Sequence, residues 1–249
     1  VTFKEGGTNF TNSLLVGTSG TGTLSSADGN TGVGTSVLAA LTSGDNNVAV
    51  GMCSLLSNTT GSLNVGAGKN ALCDNTTGAS NTALGSNALR NNETASNNTG
   101  VGNTALFTNT TGASNTAVGD TALYANTTAA DNTAVGKSAL AANTTGACNT
   151  AIGVGALTAN TTAAENTSIG SASMLGNTTG TKNVAVGRCS LRCNTTADDN
   201  TAVGHASLFA NTTGAENTAV GYKALDANTT GSNNTAVGEG ALFSNTTAN

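Results

Sequence analysis

Charge, aromatic rings and proline are all scarce in this chain of 249 residues. Only 8% of the residues are charged and 3% are aromatic, and proline and tryptophan are absent. Disordered chains are usually rich in charge and proline, so their scarcity argues against disorder and favours a repetitive β structure. The sequence also has no run of about 18 apolar residues, and we therefore expect no transmembrane helix and no membrane insertion.

Basic residues and metal-ligand patterns are scarce as well. The formal net charge is −5 with 8 Lys and Arg residues, which argues against a nucleic-acid partner. The five cysteines match no zinc spacing, and Cys189 and Cys193 form a lone C-x3-C pair. The only histidine, His205, lies at a variable position of the repeat described below and is interpreted as an exposed substituent. We therefore expect no catalytic residues, no metal site, no cofactor and no enzymatic activity.

Asn, Thr, Gly and Ala dominate the chain because they form a repeat of 17 residues. The consensus N-T-A-V-G-x-x-A-L-x-x-N-T-T-G-x-x begins thirteen times, from Asn30 to Asn234, at a constant spacing without insertion. Residues 13–29 form a degenerate earlier copy. The predicted domains are therefore an N-terminal joining or capping segment, residues 1–12, and a repeat domain, residues 13–249.

The pattern within each copy predicts a parallel β-solenoid, that is, a β-roll or β-helix. The apolar fourth and ninth positions are separated by Gly and by Asn-Thr-Thr-Gly turn signals, and no helical period runs through the array. We expect an all-β rod of 17-residue coils, each with two or three short strands. The fourth and ninth positions are predicted to form the structural core. Examples are Val50, Leu55, Val118, Leu123, Val135, Leu140, Val220 and Leu225.

Two further sets of positions hardly vary. The first and twelfth are almost always Asn, which predicts amide ladders along the stack. The fifth is always Gly, which indicates a positive φ or a close backbone approach. The predicted ladder and turn residues of the central coils are Asn115, Gly119, Asn126, Asn132, Gly136 and Asn143.

Contacts with other chains are predicted from the small third and eighth positions. One Val and one Leu per coil provide little burial for 17 ordered residues, so we expect the small positions to form a tight face between chains of a homotrimer. An end-to-end polymer is the alternative. Aromatic residues recur at the tenth position and are candidate contacts with a partner, either another chain or a cell-surface glycan or receptor. They are Phe107, Tyr124, Phe209 and Phe243.

The N-T-A-V-G-x-x-A-L-x-x-N-T-T-G repeats and the opening T-F-K-E-G-G-T-N-F-T-N-S-L-L-V-G segment resemble the shafts of phage tail fibres and tailspikes. The repeats are also similar to the head repeats of trimeric autotransporter adhesins, which are left-handed parallel β-rolls with shorter repeats. The resemblance extends from residue 13 onward. It implies a trimeric fibre that is extracellular or on a virion surface.

The main functional hypothesis is thus a structural fibre, a rigid shaft or adhesin-like rod. The first alternative is a self-assembling extracellular filament, because a solenoid without a cap exposes unpaired strand edges. The second is an ice-binding solenoid, because Thr pairs such as Thr127 and Thr128 recur. Adjacent residues of a strand point to opposite faces, which argues against the latter.

Overall fold

A computed structural model describes residues 2–7, 10–17, 23 and 25–249. The chain divides into two compact units, Val1–Thr128 and Ala129–Asn249. The described residues contain strands and turns, and no helix among them could span a membrane.

The first unit begins with an antiparallel pair and continues as a parallel stack. Strand β1 (Thr2–Gly7) pairs antiparallel with β2 (Phe10–Gly17), and β2 pairs in parallel with both β3 (Ala27–Asp28) and β4 (Thr31–Val33). The following strands are β5 (Val48–Val50), β6 (Val65–Ala67), β7 (Thr82–Leu84), β8 (Thr99–Val101) and β9 (Thr116–Val118). The predicted joining segment thus contains β1, although residues 1, 8 and 9 lie outside the described part, as do residues 18–22 and 24 of the degenerate coil.

The second unit is a parallel stack throughout. Its strands are β10 (Thr133–Val135), β11 (Thr150–Ile152), β12 (Thr167–Ile169), β13 (Val184–Val186), β14 (Thr201–Val203), β15 (Thr218–Val220) and β16 (Thr235–Val237). Each strand from β10 to β15 pairs with the residues 17 positions later, as when Thr150 pairs with Thr167. The prediction of a parallel β-solenoid with 17-residue coils is confirmed within both units.

Each regular coil contains one strand of three residues, fewer than the two or three strands expected. The A-L-x-x segment is not a strand, because the residues at the seventh and ninth positions have positive φ, such as +55° at Ala172 and +45° at Met174. Its backbone still bonds to neighbouring coils: the Leu157 amide donates to the Ser173 carbonyl at 3.1 Å. The change of sign of φ from residue to residue therefore bends the chain in this segment, while backbone hydrogen bonds to the neighbouring coils continue.

Leucine and alanine fill the interior of the coils. Leu55, Leu123, Leu140 and Leu225 at the ninth position have no exposed surface. The third and eighth positions are buried too, with Ala134 and Ala139 at 0% exposure. A Cβ added at Gly100, a third-position residue, would lie 3.2 Å from Cγ of Leu89. These positions are small because a leucine packs against them inside the same chain.

The prediction that the fourth position belongs to the core is wrong. Val50, Val118 and Val220 are exposed by 42%, 36% and 37%, and Val135 is half-buried. Side chains alternate along a strand, and the middle residue of each three-residue strand faces inward. The flanking second and fourth positions must then face outward.

Buried asparagines close each coil and join it to the next. The Asn143 amide donates to the Gly146 carbonyl at 2.9 Å, and the Asn132 amide reaches the same carbonyl at 3.0 Å. The Asn115 backbone amide donates to Oδ1 of Asn98 at 2.9 Å, and the Asn126 side chain donates to Oδ1 of Asn109 at 2.8 Å. Both asparagine positions therefore provide the amide ladders that the sequence predicts, and their buried polar groups are satisfied.

The glycine at the fifth position combines a positive φ with a close backbone approach. Gly119 and Gly136 have φ of +138° and +132°. A Cβ added at Gly136 would lie 2.6 Å from the carbonyl carbon and oxygen of Gly153 in the following coil. Any side chain would therefore strain the backbone and push the two coils apart.

Candidate functional site

The outward face of the strands is the most regular exposed surface in each unit. We call it the strand face; it consists of the second position, mostly Thr, and the fourth position, mostly Val or Ile. In the second unit, Ile152 and Ile169 are exposed by 39% and 38%, and the threonines beside them are half-buried. Strands about 4.8 Å apart arrange these side chains in two parallel columns. No charged residue belongs to either column.

The small third and eighth positions do not form the predicted interchain face. The third and eighth positions were expected to contact other chains, but their side chains are buried inside the coil. The exposed apolar surface lies instead on the fourth position, which was assigned to the core. Contiguous exposed aliphatic side chains are typical of interaction surfaces, so the strand face is the candidate site for contact with a large partner.

The paired threonines do not form one surface. The Thr144 hydroxyl donates to the Thr161 carbonyl at 3.0 Å and thereby supports the ladder between coils. The next residue, Thr145, is exposed. Thr144 is half-buried, so the two recurrent Thr columns differ in exposure and in hydrogen bonding.

Aromatic residues at the tenth position stack on residues of neighbouring coils in their own chain. In the first unit, the rings of Phe107 and Tyr124 lie 5.4 Å apart and nearly parallel, and the guanidinium of Arg90 lies 5.7 Å from the Phe107 ring centroid. In the second unit, Arg192 lies 5.6 Å from the Phe209 centroid. Lys223 lies 5.7 Å from the centroid of Phe243, which is 43% exposed. The predicted contacts with a partner remain a prediction.

The thiols are free and differ in exposure. Cys73 is buried, and Cys148 is exposed. Burial, together with the neighbouring Asp74 carboxylate, raises the pKa of the Cys73 thiol to about 11. In the part of the chain that the structure describes, no group of three or more His, Cys, Asp and Glu side chains is arranged to hold a metal ion.

The strand face and a cluster of basic residues were both missed by sequence reasoning. The strand face could have been inferred from the small middle residue of T-A-V, because alternation then directs both neighbours outward. The cluster comprises Arg188, Arg192 and Lys223, which fall within three successive copies and line a common groove. The sequence carries no local signal for it, because Arg188, Arg192 and Lys223 occupy three different positions of the repeat.

Comparison with known proteins adds no relative to this description. The chain matches no family model, and searches of curated proteins and of solved structures find no similar chain.

Proposed function

We propose that this protein is a structural fibre protein whose coils form a shaft that is exposed on a virion or cell surface. The observation that carries the proposal is the use of the recurrent residues. Asn, Gly, Leu and the small residues join each coil to its neighbours, which is the role expected in a quasi-one-dimensional structural element. The resemblance of the repeats to phage tail-fibre shafts and to trimeric adhesin heads supports the same role.

We further propose that copies of the chain associate through the strand face. Aliphatic side chains such as Ile152 and Ile169 gain burial when a second copy covers them, at roughly 25 cal/mol per Å² of apolar surface removed from water. The face carries no charge that association would have to desolvate. A homotrimer is the assembly that the resemblance favours.

A pair of double variants tests this assembly. Ile152→Lys with Ile169→Lys places two charges on the strand face, and Thr162→Lys with Thr179→Lys places two charges on exposed residues of the same two coils. Light scattering after size exclusion should give a homotrimer for the wild type and the threonine variant, and a monomer for the isoleucine variant. Equal masses for the two variants would refute association through the strand face.

Ice binding is a second candidate, and the strand face is the specific observation in its favour. Thr150 and Ile152 lie two residues apart on one strand, so both face outward, and the arrangement recurs in the next coil with Thr167 and Ile169. The spacings are about 6.6 Å along the strand and about 4.8 Å between strands. No hydrogen bond within the described chain occupies these threonine hydroxyls.

An ice-recrystallisation assay distinguishes the two candidates. An ice-binding protein should inhibit crystal growth at micromolar concentration, and the isoleucine double variant should lose that activity while the threonine double variant keeps it. Absence of inhibition by the wild type would exclude ice binding and leave the fibre proposal intact.

A further inference from the structure

A groove in the second unit brings together basic, aromatic and acidic side chains from neighbouring coils. Its volume is about 500 Å³. We call it the cation–aromatic groove, and the residues that carry its chemistry are Arg188, Arg192, His205, Phe209, Lys223 and Asp226. Binding sites for small molecules usually have volumes of about 300–1,000 Å³, so the groove is large enough for one or two sugar rings.

Positive charge is concentrated in this groove although the protein as a whole is acidic. Three of the 8 basic residues line it, while the formal net charge of the chain is −5. Asp226 is the only carboxylate in the groove lining and forms no ion pair with these cations in the described part of the chain. The surplus of positive charge favours an anionic ligand over a neutral one.

The side chains of the groove are held by contacts with one another. Arg192 stacks over Phe209 at 5.6 Å, and Nη1 of Arg188 lies 3.3 Å from Nε2 of His205. The His205 ring stacks on Tyr222 with centroids 5.5 Å apart. These contacts reduce the side-chain entropy lost when a ligand binds.

The mixture of groups favours one class of ligand. A guanidinium forms paired hydrogen bonds with a carboxylate. The Phe209 ring provides an apolar surface for the C–H face of a sugar, and the free Asp226 carboxylate accepts hydrogen bonds from hydroxyl groups. A simple inorganic anion or a nucleic-acid phosphate would gain nothing from Asp226 and would be repelled by it.

We propose that the cation–aromatic groove binds an acidic sugar, with Arg188 and Arg192 on its carboxylate, Phe209 against its ring and Asp226 on its hydroxyl groups. This ligand would give the proposed fibre a means of attachment to a surface glycan. The groove lies within the second unit, so binding does not require assembly of the fibre.

Isothermal titration calorimetry on the full chain tests the proposal with four carboxylated probes. They are trigalacturonate, a mannuronate trisaccharide, a hyaluronan tetrasaccharide and sialyllactose; galactotriose, lactose and inorganic sulfate are the comparators. We expect binding of at least one acidic sugar, no detectable binding of the neutral sugars, and weaker binding of sulfate than of the sugar. Failure of all four probes at millimolar concentration, or equal binding of sulfate, would overturn the proposal.

Variants locate the site and include a matched control. Arg188→Gln, Arg192→Gln and Asp226→Asn should each weaken binding about tenfold or more, because each removes a charged hydrogen-bonding group. Arg90→Gln is the control: Arg90 has the same repeat position, stacks on Phe107 in the same way and shares with Arg192 a buried Nε without a partner in the described chain. The groove lining does not include Arg90, so this variant should bind normally.

Two results separate this proposal from the proposed fibre role. Light scattering on the same samples reports assembly, and calorimetry reports one sugar site per chain. A protein that assembles without binding any acidic sugar would refute the groove alone. A monomer that binds the sugar and loses binding in Arg188→Gln would refute the assembly alone. Arg188 is exposed, so its substitution leaves the buried coil contacts unchanged.

Discussion

Removal of one buried asparagine should destabilise the coil stack far more than removal of the exposed threonine two residues later. Asn177 has no exposed surface, and its amide donates to the Gly180 carbonyl at 2.9 Å and to Oδ1 of Asn160 at 3.1 Å. Its own Oδ1 accepts from Asn194 at 2.8 Å. An Asn177→Leu substitution keeps the branched shape of the side chain at a larger volume and removes all three hydrogen bonds.

The expected destabilisation follows from the hydrogen-bonding groups that lose Asn177 as a partner. Oδ1 of Asn160 loses the only side-chain donor that it has in the described structure, whereas the Gly180 carbonyl keeps a bond from Asn166 and the Asn194 amide keeps a bond to Ala197. Oδ1 of Asn160 is then buried without a side-chain donor, and the Gly180 carbonyl and the Asn194 amide each lose one hydrogen bond. Together these losses should lower the free energy of unfolding by about 2–5 kcal/mol. Thr179→Val, on the exposed neighbour, should change the free energy of unfolding by about 0.5 kcal/mol or less.

Urea unfolding followed by far-ultraviolet circular dichroism measures both variants. Amide hydrogen exchange on the same proteins should show that the loss of protection centres on the coils around residue 177, because repeat proteins are stabilised by contacts between neighbouring repeats. Equal unfolding midpoints for Asn177→Leu and Thr179→Val would show that the ladder contributes little and would refute the reasoning.

Three further predictions concern other positions of the repeat. Gly153→Ala should lower the free energy of unfolding by at least about 2 kcal/mol, because φ at residue 153 is +135° and the new Cβ would lie 2.6 Å from the Gly170 carbonyl. Gly155→Ala should cost about 1 kcal/mol, because the nearest atom is 3.5 Å away and φ is +68°; similar thermal midpoints for the two variants would contradict this account. Leu157→Ala should lower the free energy of unfolding in urea by about 2–5 kcal/mol, and Ile152→Ala by about 1 kcal/mol or less, because Leu157 is fully buried and Ile152 is 39% exposed. A larger loss for Ile152→Ala would show that the fourth position belongs to the core. Cys73 should react with a thiol reagent more slowly than the exposed Cys148, because burial and the Asp74 carboxylate raise the pKa of Cys73 to about 11. That pKa is above the value of about 8.5 in an unfolded chain. The stability that Cys73 contributes should therefore be complete below pH 8 and decline as the pH rises toward 11. The raised pKa would be contradicted if the urea midpoints of Cys73→Ala and of the wild type changed in the same way over this range.

The nearly invariant positions of the repeat were enough to predict the fold. The 17-residue period, the asparagine ladders and the required glycine all follow from Asn132, Gly136 and their equivalents in the other copies. The orientation of side chains was harder to predict. Val135 and Leu140 are both aliphatic, and hydrophobicity alone assigns both to the core. Only the geometry of a strand with Ala134 at its buried centre shows that Val135 faces outward while Leu140 faces inward.

The cation–aromatic groove was harder to predict from the sequence, for a different reason. Arg188, Phe209 and Lys223 are separated by whole repeats and occupy three different variable positions, so no local motif connects them. Their proximity depends on the stacking of the coils and on positive φ angles at the seventh position, such as +54° at Lys223. Those angles could not be predicted, because residues other than Gly and Asn rarely adopt them.

A comparison of two deletions tests the central claim that the 17-residue coil is the structural unit. Removal of residues 150–166 keeps every later residue at its position in the repeat, whereas removal of residues 150–165 shifts every later residue by one. The longer deletion should retain the circular dichroism spectrum and cooperative unfolding of the parent, because the remaining coils restack in register. The shorter deletion should disrupt the second unit, because it places asparagines, leucines and glycines of successive coils out of alignment. Equal unfolding behaviour of the two proteins would contradict the account.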